Sequence, residues 1–167
     1  LPTGLKLGIV NDEVDFSHCS SFLKNQTNGM ASCDLLYEIT DDIATKIFYN
    51  SYADAYRDAK HGVVTGFIQI PHNFTNIMVR SKSEEGDDDD DDFKHGIDVH
   101  MDQTDLQITT FLQYRLLKAY EIFNKKFLRR FELNEKLDDS PMKFERPIFG
   151  SFLSDFRNSM APATILQ

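Results

Sequence analysis

The sequence predicts an α/β domain: a mixed, largely parallel sheet of about four strands covered by helices, with one long helix in the C-terminal half. Three observations lead there. Strand-like and helix-like segments alternate along the chain. Val63 to Ile70 is almost continuously apolar, as a strand buried on both faces would be. Helical spacing of apolar residues runs unbroken from Leu106 to Phe131.

The elements follow in order. Leu5 to Val10 reads as a strand that ends at the turn-prone Asn11-Asp12. Phe16 to Leu23 fits a short helix, and a polar loop reaches Asp34. Leu35-Leu36-Tyr37-Glu38-Ile39 reads as a second strand. Ser51 is placed to cap a helix, with Asp54 three residues on, and Tyr52, Ala55, Tyr56 and Ala59 share one face. Gly62 is placed to end that helix in a left-handed conformation. The apolar strand follows and stops at Pro71, and Phe74, Ile77 and Met78 fit a short amphipathic helix. Ile97, Val99 and Met101 alternate with Asp98, His100 and Asp102, which predicts a strand with one wet face near a sheet edge. Thr104 and Gln107 read as the capping box of the long helix, supported by Glu121/Lys125 and Glu132/Lys136 at i,i+4. From Pro141 to Gln167 the pattern is less regular and closes on an apolar run.

At 167 residues, with 41% apolar and 27% charged, the chain is sized and composed for one domain with its own core, and we read 1–167 as a single extracellular domain. The 14 Phe are expected in that core, because most sit at regular helix or strand spacing. Six of the nine excess negative charges are one run, Asp87 to Asp92, within a low-complexity segment (81–95) that predicts an acidic mobile loop. No basic stripe is present to neutralise phosphates, so nucleic acid is not an expected partner. No window of about 20 apolar residues crosses a bilayer, and no signal peptide is visible.

Cys19 and Cys33 would be free thiols in the cytosol. In an oxidising compartment they would pair, and closing a 14-residue separation would contribute about 3 kcal/mol. Asn25-Gln26-Thr27 and Asn73-Phe74-Thr75 are glycosylation sequons, the first inside the loop those cysteines would close. Together these features point outside the cell.

The chain lacks catalytic signatures. There is no P-loop, dinucleotide fingerprint or nucleophile elbow, and no Cys/His zinc spacing. Asp98, His100 and Asp102 could ligate a cation from one strand face, but a solvated face is the preferred reading. The six-Asp run lacks the glycine and spaced ligands of a calcium loop. His18 precedes Cys19 directly, but adjacency in sequence does not align a base with a nucleophile, and a structural disulfide is preferred. No catalytic residue, metal site or cofactor is expected in this segment.

Four segments taken together carry a resemblance: Leu5 to Glu13, Tyr52 to Gly62, Gly66 to Phe74 and Ser159 to Pro162. In that order they resemble the large domain between the first two membrane spans of type-2 ATP-binding-cassette exporters, most closely insect members of the H subfamily and related G-subfamily-like proteins. The resemblance covers nearly the whole chain. Two departures stand out: Ala163 follows the final Pro where the family usually has Gly, and the Asp run looks like a lineage-specific insertion.

The resemblance implies a parent plasma-membrane protein that exports lipid or another amphipathic compound. ATP and magnesium would act in a cytoplasmic domain outside this segment. Its implied partners are the parent's own transmembrane helices, a second transporter subunit and the lipid cargo; in insects the H subfamily is linked to lipid delivery for the cuticle. The rival readings are a secreted binding module whose acidic loop recruits a cation or basic partner, and a cytosolic α/β protein.

Overall fold

The computed structural model describes residues 2–22, 30–82, 96–130 and 142–144. Its elements are β1 (Lys6–Asn11), α1 (Phe16–Phe22), α2 (Ala31–Glu38), β2 (Thr45–Tyr49), α3 (Tyr52–Lys60), β3 (Gly66–Ile70), α4 (Phe74–Lys82), β4 (Ile97–Met101), α5 (Leu106–Arg130) and β5 (Met142–Phe144). The strands form one sheet in the order β2-β1-β3-β4-β5. β1 pairs in parallel with β2 and β3, β3 pairs antiparallel with β4, and β4 pairs in parallel with β5. The fold is α/β with a mixed, largely parallel sheet and a long helix, as the alternation of segments predicts.

Each face of the sheet has its own core. Leu7 and Ile9 of β1, Ile68 and Ile70 of β3 and Ile97, Val99 and Met101 of β4 pack with α2, α4 and α5. Leu112, Leu116, Tyr120, Phe123 and Phe127 supply the α5 side of that core. On the other face Val10 and Phe67 pack with Ala55 and Ala59 of α3. The division follows from one hand of crossover. From β1 the chain steps one way to β2 through α2, and from β2 it steps back past β1 to β3 through α3, so the two helices lie on opposite faces.

The sheet is tight on the α3 side. Gly8 lies opposite Phe67 in the register. A Cβ there would meet Phe67 Cβ at 2.7 Å and Tyr49 Cε2 at 3.1 Å. Gly8→Ala is therefore expected to cost about 1–3 kcal/mol through overpacking. The midpoint of urea unfolding should fall with an unchanged m-value, and an unshifted midpoint would contradict this packing.

Several expectations are corrected. Leu35 to Ile39 is no strand: Ala31–Glu38 is a helix, and the strand beside β1 is Thr45–Tyr49. Ala31, Leu35, Leu36 and Ile39 are all fully buried, and their spacing is that of one helix face. The apolar strand is shorter than its sequence run, because Val63 is exposed and pairing begins at Gly66. The long helix is capped by Asp105, whose Oδ1 accepts the amides of Gln107 and Ile108 at 3.1 and 3.2 Å. Thr104 instead donates its amide and hydroxyl to Asp102 at 2.9 and 2.6 Å. Ser81 and Lys82 belong to α4 rather than to the acidic loop, and 83–95 lies outside the described residues. So do Glu132/Lys136 and, apart from β5, the C-terminal tail.

The α3 boundaries are as read from sequence. Ser51 Oγ accepts the Asp54 amide at 3.2 Å and donates to the Asp54 carboxylate at 2.9 Å. Gly62 follows the helix at φ 74°, the left-handed region glycine tolerates. The Glu121–Lys125 pair forms at 3.2 Å.

Candidate functional site

The sheet order identifies where an α/β fold gathers its loops. From the C-terminal end of β1 the chain leaves to one side, toward β2, while β3 lies on the other. Ligands of open α/β sheets bind in the crevice at such a reversal, beyond the carboxyl ends of the strands. Here those ends are Asn11-Asp12-Glu13 after β1 and Pro71-His72-Asn73 after β3.

The residues at this edge fasten the two ends together. The Asp12 amide donates to Ile70 O at 2.9 Å, and Gln69 Nε2 donates to the Asp12 carboxylate at 2.9 Å. Asn11 Oδ1 accepts the Glu13 amide at 3.1 Å, turning the chain. Glu13 then reaches into the position an anionic ligand would take. Its Oε1 accepts the Thr75 amide at 2.6 Å, and its Oε2 accepts the Ser32 amide at 3.2 Å.

Thr75 and Ser32 are the second residues of α4 and α2, so one carboxylate satisfies the amino ends of two helices. Met30, at the N-cap of α2, makes no side-chain cap of its own. The fold thus fills its helix-terminus anion position from within, leaving it a structural clamp rather than a phosphate cradle.

Two further links hold α2 at this edge. Thr75 Oγ1 accepts the Ala31 amide at 2.9 Å and lies 3.8 Å from Met30 Sδ. Cys19 of α1 and Cys33 of α2 are bonded, with Cα atoms 5.3 Å apart and both residues buried. The cysteine pair expected in an oxidising compartment is therefore formed.

Of the two sequons, Asn73 is half-buried in the turn that starts α4, and its carbonyl accepts the Ile77 amide at 2.9 Å. Asn25 lies outside the described residues. The clamp by Glu13 has no local sequence signal, since its partners are 19 and 62 residues away. The only hint was an acid at the carboxyl end of the first strand, where helix amino ends converge.

Of the residues considered for a cation, Asp98 and Asp102 are half-exposed and only His100 leaves solvent. His100 is 8% exposed and stacks on Phe67 with ring centroids 4.6 Å apart. Tyr52 closes on both rings edge-on at 5.4 Å. Asp102 is occupied by Thr104, as above. The strand carrying them is second from the edge, between β3 and β5. No group of three or more His, Cys, Asp or Glu able to hold a metal ion occurs among the described residues.

On the same face Tyr49 donates its hydroxyl to Asp58 at 2.8 Å. Burial, reinforced by the Asp58 carboxylate, pushes the Tyr49 phenol up to about 12. The folded state therefore keeps the proton that the unfolded chain gives up near pH 10, so this contribution is intact below pH 10 and is lost as pH rises from 10 to about 12. Tyr49→Phe should flatten the alkaline limb of the stability profile relative to the parent. Equal slopes for the two proteins over pH 10–12 would rule the effect out.

A row of ion pairs fastens α5 to α2 and the loop after it. Arg130 meets Asp34, Lys126 meets Glu38, and Arg115 meets Asp42. Burial raises the Asp34 carboxyl even though Arg130 acts to lower it. Such partly exposed pairs contribute about 0–1 kcal/mol each, so they set register more than stability.

Comparison with protein-family models, curated proteins and solved structures returned no match. No helix among the described residues is long and apolar enough to cross a membrane. At the Glu13 edge Asn11 Nδ2 and Ser32 Oγ are buried without a hydrogen-bond partner among the described residues, while Asp12 and Glu13 bond within the fold.

Proposed function

We propose that this chain is the extracellular domain of a plasma-membrane ATP-binding-cassette exporter, shaping the exit path of a lipid or similarly amphipathic cargo or receiving it. The structural observation that accords with the reading is the direction of the outermost connections. β1 runs parallel to β3, while β4 and β5 run against them. The chain therefore comes into β1 and leaves β5 at the same edge of the sheet. The two strands are separated by three strand spacings, about 14 Å. Neighbouring membrane helices pack about 8–10 Å apart, a distance of the same order as that between these two strands. The opposite edge, with Glu13 and the two helix amino ends, then points away from the bilayer.

The Cys19–Cys33 bond supports an oxidising, extracellular location. The ordered resemblance to the family's first extracellular domain supplies the transport role, with ATP and magnesium acting in the parent's cytoplasmic domain and a second subunit completing the transporter. The secreted-module reading shares the disulfide and the closeness of the two connections, which is common in domains generally, so the ordered resemblance is what favours the exporter.

Replacing 1–167 by a short flexible linker in the full-length protein tests the role. With surface expression retained, efflux of a fluorescent short-chain phospholipid should be lost. Unchanged efflux would sink the proposal.

A further inference from the structure

We propose that the Asn73 sequon is an N-glycan acceptor only before the domain closes, and that formation of the Cys19–Cys33 bond competes with its modification. The inference rests on the extracellular reading only in that the chain must fold in the secretory lumen. In the reaction, Asn73 Nδ2 bonds to the anomeric carbon of a lipid-pyrophosphate-linked oligosaccharide. The bond from that carbon to the pyrophosphate oxygen breaks, the lipid pyrophosphate leaves with the electron pair, and the amide loses one proton.

The transferase must engage the Asn73 carboxamide and the Thr75 hydroxyl together on an accessible stretch of chain. In the fold the hydroxyl and the amide of Thr75 are both committed. Its hydroxyl oxygen accepts the Ala31 amide at 2.9 Å, and its own amide donates to Glu13 at 2.6 Å. Phe74, the middle residue of the sequon, is fully buried against Phe123, with ring centroids 6.1 Å apart. Folding therefore buries Phe74 and ties up the Thr75 hydroxyl, while Asn73 and Thr75 both stay half-exposed.

The disulfide fixes the element that ties up the hydroxyl. Cys33 is in the first turn of α2, two residues from Ala31 and three from Met30, both of which contact Thr75. Both cysteines precede Asn73 in the chain, Cys33 by 40 residues. Synthesis at about 5–20 residues per second gives a lead of roughly 2–8 s. Disulfide formation takes seconds upward, so the two events fall in the same window. Neither wins by default, and occupancy at Asn73 reports which came first.

The full chain, carrying an added signal sequence and an Asn-Gly-Thr tag after Gln167, is translated into endoplasmic-reticulum microsomes. Occupancy is read by glycosidase-dependent mass change at each site, with Asn73→Gln assigning the peptide. The tag reports entry into the lumen, and the added signal makes the result independent of where the natural protein resides, so failure here is separable from failure of the exporter reading.

Occupancy at Asn73 should lie below that of the tag and rise by about twofold or more in Cys33→Ser and under dithiothreitol, where closure is delayed. Glu13→Ala, which loosens the same contacts with both cysteines intact, should raise it as well. Equal occupancy with and without the bond would overturn the proposal, and so would an Asn73 left unmodified in every variant.

Discussion

Cys33→Ser lowers the melting temperature by about 8–20 °C, the largest effect of any single substitution considered. Two terms set the size. The bond joins residues 14 apart, and loss of that constraint on the unfolded chain is worth about 3 kcal/mol. The Cys33 site is 2% exposed, so a serine hydroxyl there adds the cost of an unpaired polar group, about 1–2 kcal/mol. For a chain of 167 residues, each kcal/mol moves the midpoint by about 2–4 °C. Calorimetry with and without dithiothreitol separates the terms: reduction of the parent should reproduce the entropic part. A shift under 2 °C in both experiments would mean that α1 and α2 are held without the bond.

Glu13→Ala is the second large effect, about 2–4 kcal/mol, although the residue is only half-buried and belongs to no helix. The substitution leaves the Thr75 and Ser32 amides of two helix amino ends without their acceptor. A lost cap costs about 0.5–2 kcal/mol, and a hydrogen bond to a charged partner about 1.5–3 kcal/mol. Glu13→Gln keeps the shape and one acceptor oxygen, so it should lose roughly half as much. Hydrogen exchange gives a sharper readout than the midpoint. Amides in the first turns of α2 and α4 should exchange faster together in Glu13→Ala, while those of α3, on the other face, keep their protection. Exchange that rises in only one of the two helices would refute the double clamp.

Where a residue's partners lie close in sequence, the chain announced its structure. Ser51 and Asp54 cap α3 as their spacing implies, and Gly62 ends it because only a left-handed residue fits there. The long helix was legible because apolar spacing over many turns leaves no strand alternative, although its cap is Asp105 rather than Thr104. The second strand was misplaced because Leu35 to Ile39 is a short apolar run, and periodicity cannot separate a strand from a buried helix over five residues. Starting the count at Ala31 exposes the helical spacing. The true strand, Thr45–Tyr49, carries a lysine and an exposed phenylalanine on the outer edge, and so lacks the apolar signature of an interior strand. His100 is buried by stacking on Phe67, a contact between strands that no local pattern encodes. The disulfide partners were identifiable because the chain has only two cysteines. The Glu13 clamp depends on where two distant helices begin, and emerges only once the sheet order is known.

Under the exporter proposal this domain faces outward while anchored to a membrane through its neighbouring chain. An epitope inserted within the acidic run Asp87 to Asp92, which leads into the amino end of β4 at the Glu13 edge, can be placed in the full-length protein and probed by antibody on intact cells. Label is expected on the surface of unpermeabilised cells and none in the medium. Label found in the medium, or only after permeabilisation, would contradict it, the first in favour of a secreted module and the second in favour of a cytosolic protein.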